Sequence, residues 1–305
     1  MDQIKLFTKD RHIITDHIIN QDFTIIGSNQ NYLTDSFTRK YKNDKGVLMD
    51  IGKFGTYITI NPTTYELGSN IEQLSRQQLI TFIENFEHDL NIDSNDFSVT
   101  GFDFNQNITT SFPPKNYLSI FRNLPHYDKT IYKDNEGVTF SNKCTSFTIY
   151  DKLKQSDIKY NDKYIMRLEL GIQRKMEHNN NLTNIETLKD LTDVNNYNGI
   201  VDQWAKTYQR INKQSIYKVS NMVKPHNVKL KDWIIITYIN DNGMENYLHQ
   251  LQNENEKYHV YYYQRTKTLK LWNEYIKYVD DKKSDLLNEI NDSVKSTAEL
   301  CKQVG

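Results

Sequence analysis

Three short stretches of this chain alternate apolar and polar residues with a period of two, and that pattern limits the fold more than any other feature. In Tyr164-Ile165-Met166-Arg167-Leu168-Glu169-Leu170-Gly171-Ile172, the apolar set Met166, Leu168, Leu170 and Ile172 alternates with Arg167 and Glu169. Side chains of a strand point to opposite faces in turn, so Arg167 and Glu169 share one face and a core lies on the other. In Ser146-Phe147-Thr148-Ile149-Tyr150-Asp151-Lys152, Phe147 and Ile149 face one way, while Thr148, Tyr150 and Lys152 face the other. In Val99-Thr100-Gly101-Phe102-Asp103-Phe104-Asn105, Phe102 and Phe104 take the core face and Gly101, Asp103 and Asn105 the opposite one. Strands with one apolar and one polar face belong in an antiparallel sheet covered on one side.

The remaining segments fit around such a sheet. Residues 1–16 alternate apolar and polar side chains and read as a first strand rather than a signal peptide. Two more strands, Gly46–Ile51 and Thr56–Ile60, are separated by a turn with Gly52 and Gly55. Residues 74–90 predict an amphipathic helix, with Ser75 as N-cap and Leu79, Phe82, Ile83, Phe86 and Leu90 at helical spacing. A strand over 97–105 follows, then a break at Pro113-Pro114, a second helix over 115–123, two strands within 137–152, and a strand over 164–172. Residues 178–198 read as an Asn- and Asp-rich loop with one short helix, and 199–220 as a helix. Breaks at Pro225 and Gly243 precede a helical tail.

The fold class predicted is α+β: an antiparallel sheet with helices on one face and a helical C-terminal region. The order strand–strand–helix–strand recurs loosely, which points to two similar halves. The division expected is an α+β catalytic domain over 1–175 and a mostly helical region over 176–305. At 305 residues the chain is long enough for one large domain or two smaller ones.

Charge and composition narrow the function classes. The net charge of −1 means that any contact with nucleic acid must come from a local basic face. The two cysteines, Cys144 and Cys301, match no metal-ligand spacing and make no disulfide framework. No apolar run reaches the roughly 18 residues of a membrane span, so no membrane association is expected and the location read from the sequence is cytoplasmic.

If the three alternating strands share a sheet, one polar face collects Asp103, Tyr150, Lys152, Arg167 and Glu169. Carboxylates suit a hard divalent ion such as magnesium or manganese. A lysine and an arginine beside them hold phosphates. A tyrosine can attack a phosphodiester and stay linked to it. A charged outer face is also the ordinary state of an antiparallel sheet, and both readings stand at this point. His126 is a ligand candidate or simply a loop residue beside Pro125. Tyr258, Tyr261, Tyr262, Tyr263, Arg265 and Lys267 either stack on single-stranded bases or pack a helix on the core.

At these strands the sequence resembles the replication initiation factors of rolling-circle elements, the group of the gene II type protein of filamentous phages and related plasmid initiators. The pattern carrying the resemblance is Thr100-Gly101-Phe102-Asp103, then Ile149-Tyr150-Asp151-Lys152, then Arg167-Leu168-Glu169-Leu170. Upstream, a strand, Asn61-Pro62, a Gly68-Ser69-Asn70-Ile71 turn and a helix come in the same order, so the resemblance spans about residues 45–175. Gly101 stands where the group has arginine, no His-x-His pair is present, and Met176-Glu177-His178 stand where some relatives place a tyrosine.

The resemblance implies a metal-dependent, site-specific DNA-nicking endonuclease acting through a phosphotyrosyl intermediate. It implies magnesium or manganese at Asp103 and Glu169, DNA contact by Lys152 and Arg167, and a nucleophile among Tyr150, Tyr197 and Tyr208. The implied partners are origin DNA, single-stranded or supercoiled double-stranded, and the replication helicase and polymerase of a bacterial host, with a homodimer left open. The alternative from another class is a non-catalytic origin-binding or regulatory protein of the same fold. Two geometric expectations follow: Asp103 and Glu169 lie close together on one face, and Lys152 and Arg167 sit beside them facing solvent.

Overall fold

The structure is a computed structural model that describes residues 1–10, 12–13, 18–19, 22–31, 36–132, 136–155, 164–173, 182, 184–213, 228–254, 258–280 and 286–303. Met176, Glu177, His178 and Pro225, and the expected helix beyond residue 213, lie outside the described residues.

The first half of the body contributes β1 (Gln3–Thr8), β2 (Phe23–Asn31), β3 (Ser36–Asn43), β4 (Leu48–Gly52) and β5 (Gly55–Ile60), then helices α1 (Pro62–Leu67) and α2 (Arg76–Leu90). The second contributes β6 (Ser98–Thr110), a short α3 (Lys115–Leu118), β7 (Phe121–Asn123), β8 (Asp128–Tyr132), β9 (Gly137–Ser141), β10 (Thr145–Asp151), α4 (Lys152–Gln155) and β11 (Tyr164–Ile172). Helix α5 (Val194–Arg210) and a short β12 (Asn212–Lys213) follow, then α6 (Leu230–Asn242), α7 (Met244–Glu254), α8 (Tyr258–Asp280) and α9 (Leu286–Gln303). The expected helix over 115–123 is one turn followed by β7, because Pro113-Pro114 start it and the chain then pairs Phe121 and Asn123 with β12.

Among the described residues, ten strands form one sheet in the order β2-β3-β4-β5-β1-β6-β11-β10-β9-β8, and neighbouring strands run antiparallel. The two halves expected from the sequence are present. In each, the first strand is central (β1 or β6), the last pairs beside it (β5 or β11), and the others step outward in reverse order. β1 and β6 meet at the centre of the sheet, with a register shift between Lys5 and Leu6.

One face of the sheet carries the core. Phe102, Phe104, Phe147, Ile149, Met166, Leu168, Leu170 and Ile172 are all buried, as the alternation predicts. Helix α5 lies on this face: Trp204 Nε1 donates to Leu168 O at 3.2 Å, and the Trp204 and Tyr197 rings meet Phe104 edge-on at 6.3 and 6.1 Å. Helix α2 joins it through Arg76 Nε, which donates to Thr192 O at 2.7 Å just before α5. The predicted stripe Leu79, Phe82, Ile83, Phe86 and Leu90 is buried, and Ser75 with Gln78 closes a reciprocal capping box worth about 1 kcal/mol.

The expected boundary at 175/176 does not separate two cores. Tyr197, Ile200, Val201 and Trp204 of α5, and Leu286, Ile290 and Val294 of α9, belong to the same apolar cluster as the strands. Their four-residue spacing gives each helix an apolar stripe that must be buried, and the sheet offers the surface. A separate small core is built by α6, α7 and α8 around Ile236, Ile239 and Trp272. Among the described residues, no helix is long and apolar enough to cross a membrane.

Candidate active site on the polar face of the sheet

The opposite face gathers the polar set. Register puts Asn105 opposite Glu169, Asn107 opposite Arg167 and Asp103 opposite Gly171 on β6 and β11. On β10, Thr148 is opposite Glu169 and Tyr150 opposite Arg167. Asp103 and Glu169 are therefore diagonal neighbours on adjacent strands, on one face, and their negative charges act on each other.

Gly171 makes room for this arrangement. A Cβ there would stand 2.9 Å from Asp103 Oδ1 and 2.4 Å from Ser146 Oγ. Gly101 has a similar cause: a Cβ would stand 2.6 Å from the Ile172 carbonyl oxygen. The close approach of β11 thus excludes the arginine that the resembling group carries at that position.

Arg167 organises the site from below. It is fully buried, at 0 % exposure. Its Nε donates to Asn107 Oδ1 at 2.8 Å, and its Nη2 to the carbonyls of Asn70 and Ile71 at 2.7 and 2.9 Å. Its Nη1 reaches Asp2 Oδ2 at 3.3 Å. In the amide orientation that satisfies both side chains, Asn105 also accepts from Nη1, at 2.9 Å. The guanidinium is saturated by the 68–73 turn, the start of β1 and β6. Lys152, the first residue of α4 just after β10, is also buried, at 1 % exposure. Both cations lie beside the carboxylates as expected, but neither faces solvent. The alternation assigned them to the polar face, and the turn after α1 then closes over Arg167.

Burial sets the protonation equilibria. It raises Glu169 to about 7, with the charges of Asp103 and Asp2 adding to the rise and Arg167 opposing it. Burial likewise raises Asp103 to about 6, against the pull of Lys5. Lys152 is lowered to about 8 by burial and by the nearby Arg167. The cluster thus holds three carboxylates, Asp2, Asp103 and Glu169, against the two buried cations Lys152 and Arg167, an excess of one negative charge before the nearby Lys5 is counted.

Tyr150 is the candidate nucleophile that shares this cluster. Its Oη donates to Glu169 Oε2 at 3.2 Å, and the residue is 5 % exposed. Burial and the Glu169 charge push the phenol well above its ordinary value. Tyr197 and Tyr208 are on the other side of the sheet. Tyr197 packs on Phe104, and Tyr208 Oη donates to Asn291 Oδ1 of α9 at 2.8 Å, with its ring against Phe121. A nucleophile among them, as the resemblance implies, requires their helix to lie over the polar face. The apolar stripe of α5 instead takes that helix to the core face. His126 is a turn residue with a φ of 70°.

Sequence reasoning placed Asn105 on the polar face without a role and missed Asp2 and Asn107. Asn107 was legible, since it continues the i, i+2 series from Asp103 and Asn105. Asp2 was not, because its role depends on β1 pairing beside β6: Asp2 N donates to the Asp103 carbonyl at 2.8 Å.

The residues fit a divalent ion in the chemistry of their donors. Asp103 and Glu169 are neighbouring hard oxygen donors whose ionised forms are penalised by burial, and water and phosphate oxygens can complete such a shell. Among the described residues, no group of three or more His, Cys, Asp and Glu side chains closes into an all-protein metal cage.

No protein-family model matches the chain, and no curated protein matches it. Among solved structures, it is similar to a rolling circle replication initiator protein from Geobacillus stearothermophilus, with a TM-score of 0.38 and 9 % sequence identity, over 75 % of this chain and 88 % of that one.

Proposed function

We propose that this chain initiates rolling-circle replication by nicking one strand of origin DNA, with Tyr150 as nucleophile. The observation that carries the reading is the convergence of Tyr150, Glu169, Asp103, Lys152 and Arg167 on one sheet face, in the motif order of the initiator group. Tyr150 Oη forms a bond to phosphorus and the bond from phosphorus to the 3′ oxygen breaks. The protein keeps the 5′-phosphate and releases a 3′-hydroxyl for a host polymerase. Glu169 Oε2, already hydrogen-bonded to Tyr150 Oη, is placed to take the phenol proton as the bond forms. Arg167 fixes Asn105 and Asn107 on the floor of the site and offsets part of the carboxylate charge. Magnesium or manganese held by Asp103 and Glu169 would stabilise charge on the phosphate and the leaving oxygen.

The polar face offers a path for the strand. Lys5 lies next to Asp103 in charge contact, and the Phe7 and Tyr57 rings meet further along the same face, centroids 4.6 Å apart and tilted by 40°. Since Lys152 and Arg167 are buried, the salt-sensitive phosphate contacts belong to more accessible cations such as the half-buried Lys5 rather than to that pair.

A second reading is favoured by one observation. Tyr150 is nearly buried with a phenol that resists ionisation, which suits an origin-binding protein that does not cleave. A nicking assay on single-stranded oligonucleotides with manganese, followed by mass spectrometry of the trapped adduct, separates the two. A tyrosyl-DNA peptide containing Tyr150 supports cleavage. Specific binding without adduct in the wild type supports the second reading.

A further inference from the structure

The geometry points to the outer face of α8 as a single-stranded DNA-binding surface that stacks bases on tyrosine; this rests on the DNA reading above. From Tyr258 to Asn273 the helix contains no acidic residue, although the whole chain carries a net charge of −1. Its inward side is fixed by Thr268 and Trp272, both buried, with Trp272 in the small core of α6 and α7. At 100° per residue, Tyr258, His259, Tyr262, Tyr263, Lys267 and Lys270 fall on the remaining arc. All six are exposed, and the tyrosines strongly so: Tyr258 is 78 %, Tyr262 55 % and Tyr263 71 % exposed.

The sequence left two roles open for this cluster, base stacking or packing on the core. The exposures exclude core packing for these three tyrosines. Three large aromatic side chains left in water on one helix face keep their rings available, and two lysines lie one to two turns along the same face. Aromatic rings beside cations are what a single strand requires, since every base has a π-face and every linkage a negative charge. The stripe runs about 18 Å at the helical rise, enough for a few nucleotides. Tyr258 and Tyr262 already lie with ring centroids 6.3 Å apart and interplanar angle 30°, so neighbouring bases could share adjoining rings. An acidic protein partner would match the lysines but leave the rings without a role. A second copy of the chain would bury the rings but bring the lysines together.

The test uses the full chain and two labelled probes of equal length, oligothymidylate and an abasic oligomer, read by fluorescence anisotropy. Wild type should bind oligothymidylate at least tenfold more tightly than the abasic strand. The Tyr258→Ala/Tyr262→Ala/Tyr263→Ala variant should lose that preference with an unchanged unfolding midpoint, because the rings are exposed. Lys267→Ala/Lys270→Ala should reduce the slope of log affinity against log salt by about 1.4, at about 0.7 per phosphate contact. A wild type without the preference, or a triple variant that keeps it, overturns the inference. So does sedimentation showing a wild-type dimer that the triple substitution splits. Adduct formation is scored on the same samples. Nicking with no base preference refutes the α8 surface alone, and a tyrosine-dependent preference without nicking refutes the cleavage reading alone.

Discussion

Replacing Glu169 by Gln should stabilise the protein in alkaline solution while removing cleavage. Burial raises Glu169 from an ordinary 4.5 to about 7. Between those values the folded state binds a proton that the unfolded chain has released, so stability falls as pH rises through the window and is level above it. At 1.36 kcal/mol per unit, the ionised side chain costs the fold about 3 kcal/mol at pH 8. Gln keeps the volume and an oxygen for Tyr150 Oη but carries no charge. Allowing about 1 kcal/mol for polar contacts made less well, the variant should be more stable than wild type by about 2 kcal/mol at pH 8, and less stable by about 1 kcal/mol near pH 4, where the wild-type carboxyl is neutral. With roughly 2 cal/mol/K of unfolding entropy per residue, that is about 3 °C in Tm for a chain of this length. Thermal unfolding by circular dichroism from pH 4 to 8.5 in chelator gives the comparison. Manganese should then raise the wild-type Tm and not that of the variant, since binding to the folded state alone stabilises it. A variant less stable than wild type at pH 8, or one that still nicks, would refute the placement of an under-compensated carboxylate at the site.

Other substitutions separate scaffold from chemistry. Arg167→Met should destabilise by about 3–5 kcal/mol in denaturant melts, because it strands Asp2, Asn107 and two carbonyls of the 68–73 turn. Gly171→Ala should fold yet lose tenfold or more in cleavage, since its Cβ displaces the Asp103 carboxylate; normal activity would mean that Asp103 has no part in it. Tyr150→Phe should abolish the covalent adduct on denaturing gels, whereas Tyr197→Phe and Tyr208→Phe should form it, being on the far side of the sheet. Lys152→Ala should leave the salt slope of DNA binding unchanged in anisotropy titrations, because the side chain is buried.

By itself, the sequence determined the faces. A period of two fixes which residues share a side of a strand, whatever the strand pairs with, so Phe104 and Leu168 take the core side and Asp103, Tyr150 and Glu169 each the polar side of its own strand, while the β6-β11-β10 pairing brings the three together. The period near 3.6 in the α2 segment similarly fixed Leu79, Phe82, Ile83, Phe86 and Leu90 as one buried stripe. Tertiary structure decided solvent access and long-range neighbours. Arg167 became buried because the 68–73 turn, nearly a hundred residues earlier in the chain, and Asp2 at the start of β1 close over it. Asp2 entered the cluster only through the pairing of β1 with β6, and α5 carried Tyr197 and Tyr208 to the opposite side. The α8 tyrosines stayed in water because α6 and α7 already cover the side of the helix that carries Trp272. Local periodicity encodes direction relative to the backbone, while access depends on what the rest of the chain lays on top, and no local spacing contains that information.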